Sequence, residues 1–156
     1  MFKINRKIEY AIIALKHMSC KSPGQITSAK EICEMYGTPF DPTSRVLQIM
    51  TQHGILQAEQ GAKGGYQVIK DLSRVSLKEL SDIVIGPIEI VNCAHGDDSN
   101  CEMTQTCHII APMLNLNKKI NKLFNEISVN DLIESRVDGE KGVRKRNSKE
   151  YKEALT

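Results

Sequence analysis

The sequence predicts a mostly α-helical fold carrying one small β-hairpin and ending in a long helix. Three observations predict it. Apolar residues recur at helical spacing in three successive N-terminal stretches. Two strand-like runs, residues 56–60 and 66–70, flank the glycine-rich segment Gly61-Ala62-Lys63-Gly64-Gly65. Farther on, an apolar row from Ile109 to Ile127 advances in steps of 4, 3, 4, 3 and 4 residues, the seam of a helix that packs along another helix.

Each element has its own signal. The first helix is expected from Asn5 to Ser19, with Ile8, Ala11, Ile12, Leu15 and Met18 facing the core; Lys21-Ser22-Pro23-Gly24 ends it. Ser28 and Glu31 form a capping-box pattern for the second helix, with Ala29, Ile32, Cys33 and Tyr36 on one face and Gly37 as its stop. For the third, Asp41 is the expected N-cap and Pro42 the first helical residue; Val46, Leu47 and Met50 supply the buried stripe, and Gly54 closes it. Two short helices joined by a tight Gly-containing connection make a helix-turn-helix, and a hairpin directly after it supplies a wing. Ser76 and Glu79 cap a short fourth helix (Leu77, Leu80, Ile83, Val84) that Gly86-Pro87 ends. The long helix is expected to begin near Ala111, with Pro112 in its first turn. The expected organisation is a winged-helix domain over 1–86, a cysteine loop over 87–108, a dimerisation helix and end segment over 109–135, and a charged, disordered tail over 136–156.

A winged helix-turn-helix points to double-stranded DNA, and charge leans the same way. Residues 1–80 hold 11 Lys/Arg against 7 Asp/Glu, whereas residues 81–135 hold 3 against 8; only the N-terminal half suits a polyanion. Thr43, Ser44 and Arg45, at the start of the third helix, are placed to meet base edges and phosphates in the major groove. Thr27, Ser28 and Lys30, at the start of the second, are placed to bind phosphate, since a helix N-terminus favours anions. One recognition helix and one wing offer little contact for specific binding, so a homodimer on promoter DNA is expected. No apolar stretch reaches the roughly 18 residues that span a bilayer, and no apolar signal core follows the charged start, so the expectation is a cytoplasmic protein without a membrane partner. No nucleophile–base arrangement stands out, and Gly61–Gly65 lies in a hairpin rather than before a helix, so no enzyme is expected.

Five cysteines in a reducing compartment do not suggest disulfides. Cys20 and Cys33 fall in helical patterns and are expected to be small core residues. Cys93, Cys101 and Cys107 follow Cys-x7-Cys-x5-Cys through a polar, turn-forming segment. Clustered soft thiolates favour an iron–sulfur cluster or zinc, and the spacing is not that of common zinc ribbons. Three cysteines leave a fourth position open to His95, His108, Glu9 or an exogenous group.

These features together resemble the bacterial winged-helix iron–sulfur regulators of the IscR, NsrR and RirA type over about residues 1–132. The most specific pieces are Lys7-Ile8-Glu9-Tyr10-Ala11, the wing Gly61-Ala62-Lys63-Gly64-Gly65-Tyr66, and the three-cysteine loop ahead of a long helix. The resemblance implies a homodimeric transcription regulator whose 2Fe–2S or 4Fe–4S cluster, beside the dimer interface, changes DNA affinity in response to iron, redox state or nitric oxide. The seven-residue first cysteine gap is similar to RirA-like members. The His ligand of IscR-like members is replaced here by Ile110, whereas Glu9 matches the acidic first-helix ligand that NsrR-like members take from the other subunit. Gln60 stands where IscR-like members carry a minor-groove Arg, and Lys63 at the wing tip is the expected substitute. The alternative is a winged-helix regulator that senses thiol redox state or zinc without a cluster.

Overall fold

The computed structural model describes residues 3–22, 24–61, 64–91 and 106–134. The chain runs α1 (Arg6–Ser19), α2 (Ala29–Tyr36), α3 (Phe40–Gln52), β1 (Leu56–Glu59), β2 (Gly65–Val68), a 3-10 turn (Leu72–Arg74), α4 (Leu77–Ile85), α5 (Ile110–Glu126) and α6 (Val129–Glu134). The mostly helical class with one antiparallel hairpin is what the apolar periodicities anticipated. Lys63, Cys93, His95, Cys101 and the tail over 136–156 lie outside the described residues.

Side chains set the helix boundaries. Asn5 caps α1, accepting from the Lys7 amide at 2.9 Å. Ser28 accepts from the Glu31 amide at 3.1 Å and Ser76 from the Glu79 amide at 3.0 Å, each satisfying one of the free donors of a first turn. The reciprocal half of both capping boxes is absent, because stronger partners claim the carboxylates: Glu31 binds His17 and Lys21, and Glu79 binds Lys70. The start of α3 departs from expectation. Pro39 is its N-cap and Phe40 its first residue, so Asp41 and Pro42 sit two residues farther in than expected, within the first turn. Pro42 fits there because the amides of a first turn have no carbonyl partner within the helix.

One core holds the N-terminal elements together. Ala11, Leu15, Ile32, Val46, Leu47, Met50, Ile55, Val75 and Leu80 are buried in it. Val129 and Ile133 of α6 join the same core, so the end segment folds back onto the winged helix. An antiparallel bridge between Ser76 and Ser128 stitches this return: the Leu77 amide donates to Ile127 O and the Val129 amide to Val75 O, each at 2.8 Å. The sequence reading missed α6, although Ser128 is its local signal, accepting from the Asp131 amide at 3.0 Å. A second cluster joins Ile8, Leu77 and Phe124 with Ile88, Ile120 and Ile127 around them, and so seats α5 against α1 and α4.

The two helical cysteines are not core residues. Cys20 is exposed and Cys33 half-buried. Cys20 is the C-cap of α1, past the last residue that packs inward. Cys33 lies at the edge of α2, where Thr38 Oγ1 donates to its Sγ at 3.6 Å. Tyr36 likewise stays 39% exposed, because its hydroxyl reaches His17 Nδ1 at 3.2 Å instead of entering the core.

Candidate nucleic-acid interface

Thr27 fixes the wing to the helix-turn-helix. It precedes the Ser28 cap and pairs with Tyr66 of β2: the Thr27 amide donates to Tyr66 O at 2.9 Å and the Tyr66 amide to Thr27 O at 2.8 Å. The hairpin thereby gains a third, one-residue strand that ends at the N-terminus of α2. Gly65 makes the approach possible, since a Cβ there would stand 2.4 Å from Ile26 Cγ2 and 2.6 Å from Thr27 O. A cleft of about 320 Å³ opens between α2 and the wing, lined by Ser28, Ala29, Glu59, Gln60, Gly64 and Tyr66. Its lining is more apolar than polar and includes the Glu59 carboxylate, but it lies at the positive end of α2, where first-turn amides can meet a phosphate group.

The wing itself is regular. Leu56 pairs with Val68 and Glu59 with Gly65, and Gln67 Nε2 donates to Glu59 Oε1 across the strands at 3.1 Å. Gln60 follows β1 and is exposed.

Helix α3 has two faces. Thr43, Val46, Leu47 and Met50 are buried; Asp41, Arg45, Gln48 and Gln52 form the opposite, exposed stripe. Ser44 is half-buried between them, and Phe40 at the helix start is 53% exposed. Two residues expected to contact DNA therefore do something else. Thr43 is fully buried, and its hydroxyl donates to Thr38 Oγ1 at 3.0 Å, which ties the start of α3 to the preceding turn. Thr27 is also fully buried; its contribution is the backbone pairing with Tyr66, not a side chain on phosphate. The reason is shared. Both sit where the start of a helix meets a packed neighbour, and sequence position alone does not show which face of a short segment is covered. Ser28 spends its oxygen on capping, whereas Lys30 is exposed and only loosely paired with Glu34 at 3.7 Å, a contact of little energetic weight.

Behind this surface, polar groups join α1 to α2. Buried His17 lies 2.8 Å from Glu31 Oε1, and Lys21 Nζ reaches the same oxygen and also donates to Ile26 O at 3.3 Å. Burial alone would raise the Glu31 pKa, but hydrogen bonds and charge from Lys21 and His17 outweigh it and hold the carboxyl below its ordinary value. Tyr36 is pushed up by burial and by the charges of Cys20 and Glu31. The cluster thus connects α1 to α2 through His17, Lys21, Glu31 and Tyr36.

The candidate metal loop is visible at its two ends. On the way in, the Ile90 amide donates to Asn117 Oδ1 at 3.1 Å, and Asn121 Nδ2 donates to Ile88 O at 3.0 Å. On the way out, half-buried Cys107 and exposed His108 lead directly into α5. The incoming segment is thus bonded to the middle of α5, and the outgoing one runs into the start of that helix. Glu9, on the first turn of α1 next to Ile8, is held among the described residues by an exposed contact with Arg6 at 3.3 Å. Among the described residues no three His, Cys, Asp or Glu side chains converge.

The heptad row on α5 divides into two. Ile120 and Ile127 pack on the second cluster, whereas Ile109, Leu116 and Leu123, seven residues apart, are 57%, 42% and 53% exposed. An apolar stripe of that spacing on a long helix suits a second helix of the same kind.

A family model described as "Rrf2: Iron-dependent Transcriptional regulator" matches residues 4–135. Among solved structures, IscR of T. potens is similar with a TM-score of 0.63 at 15% identity, covering 90% of this chain and 94% of its own. CymR, the global cysteine regulator of B. subtilis, gives a TM-score of 0.62 at 16% identity, covering 85% of this chain and 97% of its own. CymR of Staphylococcus aureus gives 0.62 at 17% identity, covering 85% and 98%. At such identities these likenesses speak to the shared fold.

Proposed function

The chain belongs to the Rrf2 family of transcriptional regulators, and on that premise we propose that it binds promoter DNA as a homodimer under the control of an iron–sulfur cluster held by Cys93, Cys101, Cys107 and Glu9. The observation that supports this reading is that the segment entering the thiol loop is bonded to α5 through Asn117 and Asn121, while Cys107 at the loop's end leads into the start of the same helix. The donor set suits the group: three soft thiolates in one polar loop, and a carboxylate with no strong competing partner. A cluster of the 2Fe–2S or 4Fe–4S type would supply bonds to these side chains that depend on iron supply and redox state.

The protein's part is to convert loop order into helix position. Ile88, at the loop's base, shares a cluster with Ile8 and Phe124, and Ile8 precedes Glu9 on α1. Leu15 of α1 shares the main core with Val46 and Leu47 of α3. A change in the ligands of Cys107 or Glu9 therefore reaches the recognition helix through packed side chains. Such a change shifts DNA affinity only if the two arrangements bind DNA differently, and direct packing of α1 on α3 provides for that. Ser44, Arg45, Lys30, Gln60 and Lys63 make the DNA contacts, with the α2 N-terminus on phosphate. The exposed stripe Ile109–Leu116–Leu123 is the dimer seam.

The test is anaerobic purification followed by metal and sulfide analysis. A brown protein with iron and acid-labile sulfide supports the reading. A colourless protein with stoichiometric zinc, or one whose DNA affinity follows thiol oxidation alone, moves it to a zinc or thiol regulator, for which Cys20 is an exposed thiol among the described residues.

A further inference from the structure

We propose that Asp41, Arg45 and Gln48 form the base-reading set of α3, with Asp41 selecting a cytosine, Arg45 a guanine and Gln48 an adenine within one half-site. The inference deepens the DNA-binding reading and rests on it. It starts from the geometry of α3. The buried stripe Thr43, Val46, Leu47 and Met50 fixes which side of the helix meets the core. The residues opposite at steps of four and three are Asp41, Arg45 and Gln48, all exposed. At about 1.5 Å per residue, Asp41 and Gln48 are separated by about 10 Å along the axis, close to the rise of three base-pair steps at about 3.4 Å each. A helix lying along the groove thus brings these three side chains to base pairs within a run of four.

Their chemistry differs in a way that matches the major-groove code. An ionised Asp is an acceptor only and fits the N4 amino group of cytosine. Arg is a donor fork and fits guanine O6 and N7. Gln donates and accepts, and fits adenine N6 and N7. Asp41 and Arg45 are four residues apart on one face, where an ion pair is easily made, yet they are not joined in one, and Gln48 is hydrogen-bonded to no side chain among the described residues. An acidic group on a surface that meets phosphates weakens binding to every sequence unless a base repays it. Asp41 in the first turn also complements the helix dipole, so its reading role needs a measurement that a dipole role would leave unmoved.

Selection of bound duplexes from a random library provides that measurement. It uses the full chain, purified anaerobically with its native metal content, as wild type and as Asp41→Asn, Arg45→Ala and Gln48→Glu. All three sites are exposed, and far-UV circular dichroism verifies the fold. Wild type is expected to select one site. Asp41→Asn is expected to change one cytosine to adenine, Gln48→Glu to change one adenine to cytosine, and Arg45→Ala to lose one guanine, each by about tenfold or more at a single position. Variants that select the wild-type site and only bind it uniformly more weakly or more tightly overturn the assignment, while DNA binding stands. A wild type that retains no duplex overturns DNA binding itself, and the assignment with it.

Discussion

Replacing Gly65 with alanine is expected to release the wing from the helix-turn-helix. The added methyl would stand 2.4 Å from Ile26 Cγ2, 2.6 Å from Thr27 O and 2.9 Å from Thr27 C. Two of these neighbours are backbone, so the clash is relieved only by separating β2 from Thr27. That separation loses two hydrogen bonds of 2.8 and 2.9 Å, each contributing about 1 kcal/mol. It also loosens Tyr66, which packs partly buried against the core, for about 1 kcal/mol more. A total of about 3 kcal/mol corresponds to a fall in Tm of about 10 °C for a domain of this size. Thermal unfolding followed by far-UV circular dichroism measures it. DNA affinity is expected to fall as well, because the cleft between Ser28 and Gln60 depends on the same pairing. A Tm within about 2 °C of wild type would show that the wing is not held through Thr27, and the geometry argued for the interface would fail.

Three further outcomes are expected. Leu116→Glu with Leu123→Glu puts charges on half-exposed seam positions of both copies; at about 3 kcal/mol the dimer weakens roughly a hundredfold, which sedimentation equilibrium detects as monomer, and an unchanged dimer would place the seam elsewhere. Glu9→Ala is expected to destabilise the bound cluster or alter its effect on DNA affinity, read from the visible absorbance during air exposure and from mobility shifts; identical spectra and affinities would remove Glu9 from the ligand set. Glu31 is held below its ordinary value near 4.5 by Lys21 and His17, so its ionised form stabilises the fold. Wild type is therefore expected to exceed Glu31→Gln in urea midpoint at neutral pH, and the difference to vanish as pH falls through the lowered pKa; a difference that persists into acid would assign the effect to packing.

The sequence made the helices legible where one side chain decides their ends. Ser28 and Ser76 are expected caps because a short oxygen-bearing side chain can satisfy a free first-turn amide, and the structure places both in that role; Asn5, expected as the start of α1, turns out to be its cap. Choices made by tertiary packing were not legible. Pro39 rather than Asp41 caps α3, because Thr43 inside that first turn is locked to Thr38. Helix α6 is only six residues long, too short for a periodic signal, and it exists because Val129 and Ile133 complete the core. The periodicity of the apolar row along α5 suits a partner helix and the chain's own core equally; the structure divides it, with Ile120 and Ile127 packed on the second cluster and Leu116 and Leu123 exposed. In the candidate interface, sequence position points to Arg45, Gln60 and Lys30, and all three are exposed; Asp41 and Gln48 share the exposed face of α3, but an acid and an amide on a helix look like ordinary solvated residues in sequence alone.

The most direct test of the account compares DNA affinity for one anaerobic preparation before and after its metal is removed by chelation. The account predicts a brown protein with iron and sulfide in about equal amounts, whose affinity for its promoter site changes at least tenfold on removal, a coupling of about 1.4 kcal/mol. A preparation without iron and sulfide, or one whose affinity is the same with and without them, would contradict it.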